Sequence, residues 1–446
     1  MSASLREALD DGPMSRFQWT AIGVCVLLNT LDGFDVLVMA FTGKSVSGEW
    51  DLSAGELGLL LSAGLVGMAV GALFVAPWAD RIGRKPVILG GLSVAAVGML
   101  LSAASQNAVQ LGALRVVTGV GIGAVLAASN VIAGEFASRR WRGLAVSLNS
   151  TGYALGATIG GLTSVLVIDH FGWRWVFLFG GLATVVAVPL TALFLPESLD
   201  FLTTRRPSDA LERVNRLARR MGLPGVDALP DSQAARPRIA AGYGKLLSPE
   251  LRRPTLVVWG AFFLVMAAFY VVTSWTPTLL VEAGLSASQG LTGGTLLNLG
   301  GIFGTALLGV LAARMALRTV LRGYLFGSAV LLVLFAASTD SLVLAFTIGA
   351  VIGVLVNGCI AGLYALTPTI YGPDLRATGV GAAISVGRIG AIAAPTIAGA
   401  LLDAGWTPHA LYVVVGAVFA AAGLLLALLT ARTRKAALTA TAGSTA

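Results

Sequence analysis

Long apolar stretches alternate with short polar ones along almost the whole chain. A helix that crosses a bilayer needs about 20 mostly apolar residues. Stretches that meet this length run near 17–41, 55–78, 86–105, 109–134, 143–167 and 174–195, then near 254–281, 289–312, 319–338, 342–367, 377–402 and 409–430. The pattern predicts twelve transmembrane helices and hence an all-α membrane protein. The longest polar stretch divides them six and six, which predicts an N-terminal six-helix bundle over 1–195, a linker over 196–253, and a C-terminal six-helix bundle with its tail over 254–446. Within the linker, Ser208 to Met221 reads as a short amphipathic helix, with Ser208 as its N-cap and Leu211, Val214 and Leu217 on one face. The first apolar stretch follows a mixed-charge segment without a small-residue cleavage site, so it reads as a span and not as a removable signal.

Composition agrees with this reading. Hydrophobic residues make up 56% of the chain and charged ones only 12%, where soluble domains carry about 25% charged residues. The 56 glycines suit close approach of helices in lipid. Cys25 and Cys359 both lie in apolar runs, so no disulfide framework is implied. His170 and His409 stand in short loops with no cysteine or carboxylate cluster beside them, and no metal site is expected. With no phosphate-binding loop and no nucleophile–base pair, neither ATP drive nor an enzyme is expected, and no cofactor is called for.

The placement of charge sets an orientation. All but four of the 30 Lys and Arg fall on one side if both termini are cytoplasmic, as basic loops prefer. That side holds Arg81, Arg84 and Lys85, then Arg139, Arg140 and Arg142, then Arg314, Arg318 and Arg322, and Arg432, Arg434 and Lys435 in the tail. The four exceptions are Lys44 and Arg174 in outer loops and Arg115 and Arg388 within spans. The net charge of +8 is therefore topology and not a nucleic-acid footprint. A multi-pass protein of the cell's cytoplasmic membrane is expected, as a monomer embedded in the lipid bilayer.

The halves repeat one another locally. Gly71 to Val87 lies over Gly304 to Val320 without a gap, matching Arg81 with Arg314 and Lys85 with Arg318. Likewise Gly156-Ala-Thr-Ile-Gly-Gly161 parallels Ala394-Pro-Thr-Ile-Ala-Gly399. Duplication of a six-span unit is a habit of secondary transporters, whose substrate sites lie near mid-membrane.

Two motifs carry a family resemblance. Asp80-Arg81-Ile82-Gly83-Arg84-Lys85, between spans 2 and 3, resembles the signature loop of the major facilitator superfamily. Arg115 followed by Gly119, Gly121 and Gly123 resembles that superfamily's fourth-helix motif. Ala76 departs from the glycine usual in the loop motif, and Ala313 stands where the second-half copy would have its aspartate. Within the superfamily, Asn29-Thr-Leu-Asp32-Gly33-Phe34-Asp35 resembles the first-span signature of the aromatic acid:proton symporters, and Glu135, Arg376 and Arg388 fit the same pattern. The resemblance implies uptake of a small aromatic carboxylate, such as benzoate or a hydroxybenzoate, with a proton as the coupling ion.

Inside the spans, an ionisable group costs roughly 2.5–3.5 kcal/mol on insertion scales, so it needs a partner or a task. Asp32 and Asp35 lie one helical turn apart on one face, where two carboxylates and a proton can be shared; both are candidates for proton coupling. Arg388, about halfway along span 11, is the first choice for grasping a substrate carboxylate through its fork of donors. Arg115 either shares that task or neutralises one of the aspartates. The aromatic ring needs an apolar wall, for which Tyr364 and Asn357 in span 10 and Tyr153 and Asn149 in span 5 are candidates. Phe262, Phe263, Phe269, Tyr270 and Trp275 of span 7 are also available, although Trp275 and Trp406 fit an interfacial belt better.

The cytoplasmic loop charges read as gates: Asp80, Arg81 and Arg84, with Asp80 docking on span 11 and on Arg140 or Arg142, Glu135 with the Arg139–Arg142 group, and Arg376 in the equivalent second-half place. Two rivals share the fold. A drug:proton antiporter is weakened by Ala157 after Gly156, where such exporters carry Gly-Pro. A sugar symporter is suggested by Pro196-Glu197-Ser198 and by Glu135 seven residues before Arg142, but the intramembrane charges fit an anion better.

Overall fold

The computed structural model describes residues 8–229, 244–338 and 341–429; the basic tail residues Arg432, Arg434 and Lys435 lie outside them. Among the described residues there are helices and no strands. Twelve helices among the described residues are long and apolar enough to cross a membrane. They are α1 Arg16–Trp50, α2 Ala54–Ile82, α3 Arg84–Ala103, α4 Ala108–Phe136, α5 Arg142–Phe171 and α6 Arg174–Phe194 in the first half. The second half has α7 Arg252–Glu282, α8 Ala287–Arg314, α9 Leu317–Ala336, α10 Leu342–Thr369, α11 Thr378–Asp403 and α12 Pro408–Ala427. The end at which α1 starts is called the near end below, and the end of the α1–α2 turn the far end.

Every expected span is present, and α1 is longer than expected. It runs on to Trp50, because Gly43, Lys44 and Ser45 sit within a helix whose residues either side of them remain packed. Among the described residues the linker includes the helices Leu199–Arg205 and Ala210–Met221. The second begins two residues after the expected cap Ser208, with Asp209 as its N-cap, and Arg213 pairs with Asp209 one turn on. Its apolar face, Val214, Leu217, Ala218 and Met221, is buried in a core with Leu9, Leu199 and Leu202. The linker helix is thus a packed part of the near end.

By contact the chain forms two compact units, Met1–Val38 with Ala63–Ala235, and Met39–Ser62 with Arg236–Ala446. The last third of α1 and the start of α2 therefore go with second-half helices. In unit 1, α3 packs on α4 and α6, and Gly67 and Gly71 of α2 meet the backbone of α4 at Val116, Gly119 and Val120. In unit 2, α8 packs on α10, α9 on α12, and α7 on α11. The pairing α2–α4 corresponds to α8–α10, and α3–α6 to α9–α12, so the sequence repeat is repeated in packing. Near its near end α2 opens into one π turn, Gly71–Val75, followed by a 3-10 turn, Ala76–Trp78. Pro77, which lacks an N–H, lies within that tight turn.

Candidate functional site

Asp32 and Asp35 are both buried in α1, each 3% exposed. Gly33 between them lies against α5: a Cβ there would collide with the backbone carbonyl of Tyr153. The glycine is what lets α1 bring its acids this close to α5. Asp35 is clamped by Arg115 of α4. One guanidinium nitrogen donates to Oδ1 at 2.7 Å, and the other to Oδ2 at 3.0 Å and to the Asp35 carbonyl at 2.7 Å. Both side chains are sealed from solvent, and Phe177 lies under the guanidinium carbon at 5.9 Å. Of the two tasks weighed for Arg115 in the sequence, this contact corresponds to the neutralising one.

Beside this pair runs a chain of three amides. Asn130 donates to the Leu126 carbonyl of its own helix at 3.0 Å, which turns its Oδ1 outward as an acceptor. Asn149 donates to that oxygen at 2.5 Å, and Asn29 donates to Asn149 Oδ1 at 2.8 Å. The amide polarity is therefore set from Leu126 through to α1, one turn before Asp32. Asn149 holds α1 and α4 together through its two ends. Tyr153, one turn further along α5, is half-buried.

In unit 2 the corresponding residues are aromatic and cationic. Arg388 is half-buried in α11, with its guanidinium 3.5 Å from the Tyr270 hydroxyl of α7. Tyr364 of α10 lies within Coulombic reach of Arg388. Phe262 meets Tyr364 edge to face with ring centroids 5.6 Å apart, and Phe269 meets Tyr270 likewise at 5.3 Å. Asn357 is half-buried and donates to the Gly353 carbonyl of its own helix at 3.0 Å. Trp275 departs from the expected interfacial position: it is fully buried, and its indole N–H donates to the Pro395 carbonyl at 3.0 Å. The bond ties α7 to α11 at the level of Pro395, which itself has no N–H to give to the α11 ladder. Trp406 is 40% exposed, as an interfacial residue should be.

The near-end loop is organised differently from the expected latch. Arg142 bonds to Asp10 at 2.5 Å and not to Asp80, because the N-terminal segment folds onto the α4–α5 loop, where Arg139 N–H also donates to the Asp10 carbonyl. Arg140 stacks over Trp141 at 5.4 Å. Asp80 has an exposed side chain, and its backbone carbonyl accepts from Arg205 at 2.8 Å. Glu135 contacts Arg84 instead of the Arg139–Arg142 group. Arg81 and Arg376 are exposed.

The residue that joins this end is Glu197, which the sequence offered only as part of Pro196-Glu197-Ser198. Its Oε1 accepts from the backbone N–H of Arg84 at 2.8 Å, of Lys85 at 3.2 Å and of Ser198 at 2.9 Å. The first two are orphan donors at the start of α3, where the helix dipole also favours an anion. Gly83, at φ +107°, has no room for a Cβ because Glu197 lies against it. Arg84 completes the set by donating to Ser198 Oγ at 2.5 Å. Asn130 and Asp10 were not singled out, and Asn29 only as the start of the first-span motif, since nothing in a single sequence marks which residues of separate helices meet. Among the described residues no group of His, Cys, Asp and Glu could hold a metal; Cys25 and Cys359 are free and buried.

Comparison with known proteins follows the same lines. A family model described as Major Facilitator Superfamily matches residues 23–395. The chain is 34% identical over 429 residues to the gallate transporter of Pseudomonas putida, covering 95% of this chain and 94% of that one. It is 31% identical over 411 residues to the 4-hydroxybenzoate transporter PcaK of Acinetobacter baylyi (91% and 90% covered), and 32% identical over 388 residues to the 3-(3-hydroxy-phenyl)propionate transporter of Escherichia coli (86% and 87%). Among solved structures, the crystal structure of a D-xylose-proton symporter superposes with a TM-score of 0.73 at 16% identity, covering 93% of this chain and 98% of that one. That likeness is one of fold.

Proposed function

The chain belongs to the major facilitator superfamily and, within it, to the aromatic acid:proton symporter family, and from that premise we propose that it carries aromatic carboxylic acids into the cell together with a proton, by alternating access. The observation that carries this reading is the division of charge in the spans. Arg115 is consumed by Asp35, so the pair α1–α4 is a fixed brace. Arg388, beside the Tyr270 hydroxyl in the second half of the chain, is assigned to the substrate carboxylate, and Asp32, buried in α1, to the proton.

Each role has its chemistry. Arg388 offers parallel N–H donors to a carboxylate, with the Tyr270 hydroxyl already beside it. The two aromatic pairs, Phe262–Tyr364 and Phe269–Tyr270, present ring edges and faces that favour an aromatic guest. Asn357 is assigned contact with a ring substituent, Tyr153 keeps the substrate-binding role expected of it from the sequence, and Asn149 acts through the amide chain. Asp32 is buried, and a carboxylate held there is costly enough for its charge to be relieved by a proton during the cycle. The near-end set of Arg84, Glu135 and Glu197 controls inward opening, with Asp80, Arg81, Arg140 and Arg142 in the same loops and Arg376 in the equivalent second-half role. Pro196-Glu197-Ser198 has a structural task in this loop and needs no sugar substrate to explain it. The basic loops put the near end and both termini in the cytoplasm, in a protein that works as a monomer in the cytoplasmic membrane.

The test is uptake of labelled gallate, 4-hydroxybenzoate or benzoate by proteoliposomes carrying an imposed pH gradient. Accumulation should collapse with an uncoupler, and the corresponding amide should compete far less well than the acid. A pH gradient without effect removes proton coupling; equal competition by the amide removes the carboxylate site.

A further inference from the structure

At the far end of unit 2, α2 begins with a divided cap. The first N–H groups of a helix have no partner within it. Ser53 and Glu56 satisfy two donors reciprocally: Ser53 N–H donates to the Glu56 carboxylate at 2.9 Å, and Glu56 N–H to Ser53 Oγ at 3.2 Å. The two N–H groups between them, on Ala54 and Gly55, donate to Asp403 at the end of α11, one to each carboxylate oxygen, both at 2.8 Å. Deeper along the same two helices, the hydroxyls of Ser62 and Thr396 meet at 2.9 Å, and Thr396 also donates to the Gly58 carbonyl at 3.3 Å. Beside them Lys44 of α1 stands 3.8 Å from Glu282 of α7.

We propose that Asp403 is a releasable latch, holding α2 to α11 at the far end in one state of the transport cycle and letting go in another. The local Ser53–Glu56 box keeps α2 capped in both states, so the helix start does not depend on Asp403. The carboxylate and its two donors sit at the exposed end of the helices, where water can replace the contact at small cost. The Asp35–Arg115 clamp is the opposite case, since parting it would strand two buried charges. While engaged, the carboxylate has the positive end of the α2 dipole in front of it and two charge-assisted bonds, enough to bias two states of similar energy.

The proposal rests on the transport reading only in requiring that this end open, and its tests can be read apart from substrate identity. In the full chain, Gly55→Cys with Asp403→Cys places two thiols at this contact, while Cys25 and Cys359 stay buried. Oxidation should join the pair and cut transport at least about tenfold, the ratio that one lost charge-assisted bond would otherwise shift, with full recovery on reduction. Unimpaired transport by the cross-linked protein would overturn the latch. In a second arm, Ser62→Cys is labelled with a bulky hydrophilic maleimide in detergent, with Asp403 intact and as Asp403→Asn. Labelling should rise about tenfold in the Asn background, and Asp403→Glu should restore much of the protection. Equal labelling in folded, monodisperse protein sinks the proposal even where no substrate has been found, and a failed uptake assay with raised labelling would count against the substrate class alone.

Discussion

Asp35 uses both carboxylate oxygens and its own carbonyl on one guanidinium, while Asp32, one turn away, has its own place in α1. Removing one partner of a buried ion pair leaves a stranded charge and costs about 3–5 kcal/mol. Arg115→Ala should therefore lower the unfolding midpoint in detergent strongly, and Arg115→Ala with Asp35→Asn should recover much of the loss. If the single variant is as stable as the parent, the pair is not a brace. Asp32→Asn should behave differently: stability near that of the parent, accumulation of substrate abolished, and exchange of labelled for unlabelled substrate retained. Concentrative uptake by Asp32→Asn would take the proton away from this residue. The sequence marked both aspartates and Arg115 as costly residues needing a reason, since their types alone say that. It left their pairing open, because one turn on a helix decides which acid Arg115 reaches.

At the scale of elements, α1 and α5 touch through Gly33, where a methyl group would run into the Tyr153 carbonyl. Overpacking of this kind costs about 1–3 kcal/mol, and here it moves α1 with its acids. Gly33→Ala should fold with reduced stability and lose most transport, checked by unfolding and uptake on one preparation. Wild-type transport would show that the helices have slack. At the other end, Glu197→Gln removes the anion at the start of α3 and should slow turnover while substrate affinity stays nearly unchanged. An equal loss of affinity would place Glu197 in the binding site. The spans themselves were legible because their length and apolarity are one-dimensional properties. Trp275 was misplaced because its distance from a span end suggested an interface, whereas its depth depends on how closely α11 packs beside it. Glu197 and Asp10 escaped for a related reason: a carboxylate in a polar segment looks solvated until its helix start or arginine is found.

For the whole molecule, the duplicated sequence is matched by duplicated helix pairings, and the near-end basic loops give an orientation that can be checked directly. Reporters fused to either terminus should be active only as cytoplasmic reporters, and a periplasmic phosphatase should be active when inserted in the α1–α2 turn. The reverse pattern would invert the transport direction proposed here. What the division at the linker could not disclose is that residues 39–62 pack with the second half. Hydropathy locates a span along the chain but carries no information on which bundle each third of it joins. That misfit is confined to the far end, where the Asp403 contact also lies.

The Asp35–Arg115 clamp also has a history within each molecule's synthesis. Its two residues are 80 positions apart, so α1 enters the bilayer carrying both acids before the cation that answers one of them has been translated. Each acid costs roughly 2.5–3.5 kcal/mol on insertion scales, and α1 holds that cost until α4 arrives. The nascent chain thus passes through a vulnerable interval in which quality-control proteases meet an incompletely neutralised first helix. Defects at Arg115 should consequently appear in cells first as shortened protein lifetime, seen by pulse-chase labelling. Asp35→Asn, introduced in the same chain, should lengthen that lifetime even though it restores no lost contact.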